Sequence, residues 1–405
     1  MEVYLVGGAV RDAQLGLPVK ERDWVVVGET PKTMSDAGFK QVGKDFPVFL
    51  HPKTGEEYAL ARTERKAGRG YTGFTCDASP NVTLEEDLMR RDLTINAIAQ
   101  AEDGTLIDPY GGLSDLKKRV LRHVSAAFIE DPLRVLRVAR MAAKLAAFDF
   151  KVAAKTSDLL KQMTREGELT DLTPERVFAE VDKTLATKAP ARFFEVLRDV
   201  GALAVLFPEI DNLFGVPNPV KSHPEVDSGV HAMLVLQAAC ELSTENAVRF
   251  AALCHDFGKG LTPKEKWPRH PGHEKAGVKL IDDFCTRLRV PKQYQRLAHI
   301  VGLYHGDCHR LLDASADTIY QLLLRLDAFR ASSVVEEFIL ACTADHRGRT
   351  GYEGSPYPQG ELLMLACDAA KRVESKSFVE QGLKGEALGE AIARARIEAI
   401  EKILA

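Results

Sequence analysis

Strand-forming residues crowd the first third of this chain, and helix-forming residues fill the rest. Val3–Val6 is an apolar run that ends at Gly7-Gly8, and Trp24–Val27 is a second, β-branched run. Gly38–Leu50 and Glu57–Ala61 supply further extended segments. Between the first two, Ala9–Leu15 fits a short helix stopped by Gly16 and Pro18. From about Leu116 onward the apolar residues recur at helical spacing, as in Leu133, Leu136 and Met141, or Phe193, Val196 and Leu197. The expected fold is an α/β head of about 120 residues followed by a long, mainly α-helical body.

The 405 residues allow two to four domains. Gly215–Pro224 holds Pro217, Pro219 and Pro224 and reads as a border. Beyond it the composition shifts, since nine of the eleven histidines lie at or after His223. A turn-rich stretch, Gly348–Gly360, sets off a helical tail. No run approaches the ~20 apolar residues of a membrane span. The start, Met1–Val6, has neither a basic n-region nor an h-region, so no signal peptide is expected. Seven scattered cysteines form no CxxC pair and fit free thiols in a reducing cytoplasm.

A formal charge of −4 argues at first against a polyanionic partner. Locally it does not. Leu116–Lys144 holds eight Lys and Arg against two acids, and Lys259–Arg296 holds ten against four. Gly201–Phe250 is the reverse, with two basic residues against six acids. Confined basic surfaces of this kind admit RNA.

Three acids stand out in the head. Glu21 and Asp23 are two apart at the start of a strand, a spacing that puts side chains on one face. Paired carboxylates repel unless a cation neutralises them, and Mg²⁺ takes such carboxylates together with substrate phosphates. Glu57, at the start of a later strand, is the candidate third ligand, with Glu56 facing the other way. Solvated strand-end acids would show the same spacing. Gly7-Gly8-Ala9-Val10-Arg11-Asp12 joins a strand to a helix, where glycine lets backbone N–H groups approach a phosphate and Arg11 can add a charged contact. A structural tight turn would look the same, and neither GxGxxG nor GxxxxGK[ST] spacing is present.

Asp131 and Arg134 are three apart at the start of a predicted helix with Pro132 in its first turn, and Arg137 and Arg140 continue the spacing. A carboxylate and a guanidinium on one face can pair with the amino group and ring nitrogen of cytosine or adenine and reject uracil and guanine. An Asp that caps a helix bearing solvated arginines is the alternative.

Taken together, Gly7-Gly8-Ala9-Val10-Arg11-Asp12, Glu21-x-Asp23, Arg90-Arg91-Asp92-Leu93-Thr94-Ile95-Asn96-Ala97 and Glu130-Asp131-Pro132-Leu133-Arg134 resemble the motifs of the tRNA CCA nucleotidyltransferase / poly(A) polymerase family, in its bacterial class II form. That family belongs to the polymerase-β-type nucleotidyltransferases. The resemblance covers about residues 1–225. It implies a nucleotidyltransferase palm with a small mixed or antiparallel sheet. It also implies Mg²⁺ on Glu21 and Asp23, with Glu57 completing the catalytic acids. Gly8, Arg11 and Arg91 would contact the nucleotide, and Asp92 and Asn96 would shape the sugar side. Asp131 and Arg134 would act as a protein template, with Arg137 and Arg140 on the triphosphate. Glu21 stands where the family commonly has Asp, which leaves the charge and lengthens the arm.

In the second half, His231, His255-Asp256 and Asp345 are similar to the ligands of the HD phosphohydrolase domain. His305 lies on the same helical segments, and His270, His273 and His309 are candidates for positioning a phosphate. The resemblance implies a divalent ion there, such as Ni²⁺, Mn²⁺ or Mg²⁺, and 2′,3′-cyclic phosphodiesterase, 2′-nucleotidase and phosphatase activity. The expected division is a palm over 1–122, a helical neck with the nucleotide-recognition helix over 123–222, an HD domain over 223–347 and a tail over 348–405. The expected function is addition of CCA to tRNA from CTP and ATP in the cytoplasm. A poly(A) polymerase, or an HD hydrolase with an inactive RNA-binding head, are the alternatives.

Overall fold

The computed structural model describes residues 1–42, 48–66, 74–330 and 332–405; of the extended segment expected over 38–50, residues 43–47 lie outside the described ones. The chain divides into two compact units. The first is Met1–Glu180 with Arg192–Leu206, and the second is Val181–Ala191 with Phe207–Ala405. The neck expected over 123–222 is thus shared between the two.

The first unit is built on a mixed seven-stranded sheet. Its strands are β1 (Glu2–Val6), β2 (Asp23–Val27), β3 (Lys40–Val42), β4 (Val48–Leu50), β5 (Glu57–Leu60), β8 (Ala99–Gln100) and β9 (Leu106–Ile107), in the order β3-β4-β5-β2-β1-β8-β9. The intervening β6 (Thr63–Lys66) and β7 (Phe74–Asp77) form a separate hairpin. Within the described strands of the seven-stranded sheet, only β2 and β5 run parallel. The alternation of β2 sorts two cores. Val25 packs with Val6, Ala61, Leu88 and Ala97 on one face. Val26 packs with Met34, Phe49 and Leu60 on the other, where Trp24 also stacks on Tyr58 at 5.6 Å.

Helices follow, as the apolar spacing predicts. The helix Arg134–Lys144 buries Val135, Leu136, Val138, Ala139, Met141, Ala142 and Ala143. It begins two residues later than its sequence suggests. Asp131 is extended, and its Oδ1 accepts the N–H of Leu133, a local bond that competes with helix formation. Two short strands, Val120–Leu121 and Lys151–Val152, pair in parallel inside the region expected to be helical. Two-residue strands are too short for periodicity to register.

The second unit is helical. Its histidines and acids sit on the helices Ser228–Leu242, His273–Arg287, Lys292–His309 and Ser332–Arg347, and on the turn after Asn246–Cys254. Phe284 packs on Phe250 and Phe257 at 6.0 and 5.5 Å between ring centres, and all three are buried. Each such ring contributes about 1.5–3 kcal/mol through burial. Gly258 fixes one close approach. A Cβ there would lie 2.0 Å from the carbonyl oxygen of His273, so only glycine lets the His255-Asp256 turn meet that helix. Among the described residues no helix is long and apolar enough to cross a membrane.

Candidate functional site

In the first unit, β2 opens on Asp23, and strand register sets its neighbours. Asp23 lies opposite Val6 on one side and Glu57 on the other, so Asp23 and Glu57 project from adjacent strands on one face. Glu56 faces away and accepts the Trp24 indole N–H at 3.1 Å. Glu21 precedes the strand, so strand alternation does not set its direction, contrary to the expected shared face. Burial on its protein side raises the Asp23 pKa, Arg91 opposes this, and the charge of Glu21 reinforces it. That crowding of acids is what a hard cation relieves, and an all-carboxylate donor set suits Mg²⁺. The three carboxylates do not form a group with oxygens all within 4.8 Å of one another.

Beside Asp23 opens a cleft of about 420 Å³. Among the described residues, eight arginines and Lys144 line it, against Asp23, Asp92 and Asp131. An excess of six positive charges in a concave site is suited to a polyphosphate. Gly7 and Gly8 form its floor. Gly7 has φ +70°, and a Cβ there would come within 3.0 Å of the Arg91 guanidinium. The glycine turn therefore makes room for Arg91, which pairs with buried Asp87 at 3.1 Å.

The motif residues that line this cleft also brace one another. Arg11 is 3% exposed, and its guanidinium donates to Asp12 at 2.8 Å and to Asn96 at 2.5 Å. Asn96 donates to Asp92 at 3.0 Å, and Asp92 accepts Arg137 at 2.7 Å. Burial alone would raise the Asp92 pKa. Arg137, Asn96 and Arg134 outweigh it and hold the carboxyl far below its ordinary value. Arg140 pairs with Glu180 at 2.5 Å. Asp131 and Arg134 both line the cleft. Asp131 pairs with Arg176 at 3.0 Å, and Arg134 donates to the carbonyls of Ala127 and Arg90 at 2.7 and 2.6 Å. Arg176 carries no signal in the spacing of the other arginines.

The second unit gathers what the sequence kept apart. His231, His255 and Asp345 form one group with ligand atoms within 4.8 Å, and Asp256, His273 and His305 form another. His231 Nε2 lies 3.1 Å from Asp345, and His255 Nε2 lies 3.1 Å from Asp256. His273 Nε2 is 3.2 Å from the other oxygen of Asp256. Nδ1 of His255, His273 and His305 each contact a backbone carbonyl, at 2.7, 2.8 and 3.0 Å. Those contacts place the proton on Nδ1 and turn the Nε2 lone pairs inward. His255 Nε2 and His273 Nε2 face Asp256 without forming aligned hydrogen bonds, and the buried Lys259 ammonium pairs with the same carboxylate at 2.6 Å. Lone pairs facing carboxylate oxygens are the donor set of a divalent transition metal. Burial opposes charge on His255, but Asp256 and Asp345 outweigh it and raise its pKa. Burial and His255 push His305 down to about 3.

The histidines expected to position a phosphate divide. His273 joins the second group. His270 is bound to the Pro217 carbonyl at 2.9 Å, and His309 to Asp345 at 2.5 Å. His305 was legible only as a histidine on a helix, because its partners Asp256 and His273 come from two other segments.

Three family models match the chain: "Poly A polymerase head domain" over residues 3–122, "Probable RNA and SrmB- binding site of polymerase A" over 149–214, and "HD domain" over 229–331. Solved structures share the whole architecture. A CCA-adding enzyme complexed with ATP is 23% identical, with 98% of this chain and 86% of that one covered and a TM-score of 0.68. The Thermotoga maritima CCA-adding enzyme complexed with tRNA is 22% identical, with 100% and 90% covered and a TM-score of 0.65. A tRNA-processing enzyme is 25% identical, with 98% and 97% covered and a TM-score of 0.59. The chain thus matches a poly A polymerase head, an RNA-binding segment and an HD domain in this order, and it has the fold of the CCA-adding enzymes.

Proposed function

We propose that the first unit adds the terminal CCA to tRNA, using CTP and ATP. The observation that carries this reading is the arginine-rich cleft lined by Asp23, with Glu57 beside Asp23 on the adjacent strand. The RNA-binding match and the ATP, CTP and tRNA complexes of the similar structures support it.

Asp23, Glu57 and Glu21 would hold Mg²⁺, which neutralises the α-phosphate and activates the tRNA 3′-hydroxyl when bound. That hydroxyl forms the new P–O bond as the bond to pyrophosphate breaks. Arg91 and the cleft arginines carry the triphosphate charge through both states. Asp131 and Arg134 are at hand for the base edge, and Arg176 holds the Asp131 carboxylate in place. Arg137 and Arg140 support the pocket through Asp92 and Glu180. The boundaries proposed for the palm, neck, HD domain and tail remain those given by the sequence.

A second reading concerns the other unit, and the two buried His–Asp groups favour it. There the chain would hydrolyse phosphate esters with a transition metal, Ni²⁺ and Mn²⁺ being the candidates. Cyclic 2′,3′-phosphates, 2′-nucleotides and simple phosphate esters are the proposed substrates.

Incubation with tRNA lacking its CCA end, with CTP, ATP and Mg²⁺, followed by 3′-end sequencing, tests the main reading. Terminal CCA on the product is the expected result. Long tails made from ATP alone would identify a poly(A) polymerase instead.

A further inference from the structure

His231 has two ring nitrogens and two acidic neighbours. Nε2 faces Asp345 at 3.1 Å, toward the proposed metal group. Nδ1 lies 2.9 Å from Glu225 Oε1, a close contact rather than an aligned hydrogen bond, in a further group of possible ligands that includes His223. His255, His273 and His305 each have a backbone carbonyl near Nδ1; His231 has this carboxylate instead. The Glu225 side chain is 2% exposed, and its other oxygen accepts the N–H of Thr350 at 3.2 Å.

The backbone around Glu225 is strained and over-determined. Val226, a β-branched residue, has φ +61°, which ordinarily suits glycine. Strain of this kind costs about 1–3 kcal/mol and persists only where surrounding bonds enforce it. Here they do. The Val226 carbonyl accepts Asn218 N–H at 2.6 Å, and Val226 N–H reaches His223 at 2.9 Å. Asp227 caps the helix that carries His231, accepting Val230 N–H at 2.9 Å, and also accepts Gly215 N–H at 2.6 Å. The turn thus ends at the helix cap with Glu225 folded back onto the fourth residue of that helix.

We infer that Glu225 is a positioning residue for the metal centre of the second unit: it accepts the Nδ1 proton of His231 and so presents the Nε2 lone pair to the metal. This deepens the hydrolase reading and rests on it. A carboxylate in this place makes the imidazole a stronger donor and fixes its ring plane.

The test uses the full chain with Ni²⁺ alone for affinity and Zn²⁺ for nitrogen NMR of His231. Glu225→Leu should weaken Ni²⁺ binding about 10- to 100-fold. Glu225→Gln should recover most of it, because the amide oxygen still accepts the Nδ1 proton. In the Zn²⁺-loaded wild type, His231 should carry its proton on Nδ1. Ni²⁺ binding by folded Glu225→Leu at wild-type strength would overturn the inference, as would a proton on Nε2. If the wild type binds neither metal while His255→Ala behaves identically, the hydrolase reading fails first and the inference falls with it. Should Glu225→Leu not fold, Glu225→Gln and the wild-type protonation site still decide.

Discussion

Asp92 shows how much of the cleft's framework rests on a single buried carboxylate. It is 5% exposed and joins Arg137, Asn96 and its neighbour Leu93 N–H, while Asn96 reaches Arg11 under the glycine turn. One carboxylate therefore couples the first helix of the head to the helix Arg134–Lys144. Asp92→Asn removes the charge facing Arg137. Breaking a buried pair costs about 3–5 kcal/mol, and the half-exposed Arg137 brings this down to about 2 kcal/mol here. The lower thermal transition of the variant should fall by several degrees in calorimetry, with loss of CTP incorporation. A pH series checks the same pair. Both Asp92 and Asp87 are held below the ordinary carboxylate range by their arginines, although burial works against this. Their contribution is then complete above the unfolded carboxylate pKa of about 4 and declines as acid protonates the folded state. Stability of the head should change little from pH 8 to 5 and drop below about pH 4. In Asp92→Asn the acid drop should be shallower; an unchanged drop would show that Asp92 does not contribute.

At the scale of elements, glycine contacts set how closely segments meet. Gly258 lies where a Cβ would be 2.0 Å from the His273 carbonyl and 2.6 Å from Gly277 N. Gly258→Ala must push the helix His273–Arg287 away from the turn bearing Asp256, and overpacking of this sort costs about 1–3 kcal/mol. Gly389→Ala is its control: nothing lies within 4 Å, and the residue is inside the helix Gly385–Leu404. Calorimetry should show the first variant destabilised with weaker Ni²⁺ binding, and the second stabilised by about 0.5–1 kcal/mol. The same elements mark the reach of the sequence. Period-two alternation was enough to place Val25 and Val26 on opposite faces and to set Glu56 against Glu57. It extended strand alternation to Glu21, at the entrance to a strand that includes Asp23 but not Glu21. Helical spacing drew Asp131 and Arg134 together, but a side-chain bond to Leu133 keeps Asp131 outside the helix, where Arg176 takes it. His231, His255-Asp256 and Asp345 were legible by order and type. Glu225 and the pairing of His273 with His305 were not, since they depend on a positive φ and on packing between helices distant in sequence.

For the whole molecule, the net charge of −4 hides a division of labour. The cleft of the first unit has nine cationic side chains against three acids, whereas the second gathers buried His–Asp groups able to hold metal. Each proposed chemistry uses residues from its own unit alone. The two should therefore separate by mutation. Asp23→Ala removes a proposed Mg²⁺ ligand and should lower CTP and ATP incorporation by about 100- to 1,000-fold, the usual loss when one electrostatic stabiliser of the transition state is removed. Its Ni²⁺ affinity should match that of the wild type. His255→Ala should show the opposite pattern, with incorporation retained and Ni²⁺ binding and phosphate-ester hydrolysis lost. Salt gives a second axis, because tRNA binding through backbone phosphates weakens steeply as counterions compete, whereas hydrolysis of a small phosphate ester at a buried metal does not. Raising salt from 50 to 200 mM should therefore depress CCA addition far more than hydrolysis. Loss of both activities in Asp23→Ala, with the fold intact, would show that the two units do not act separately.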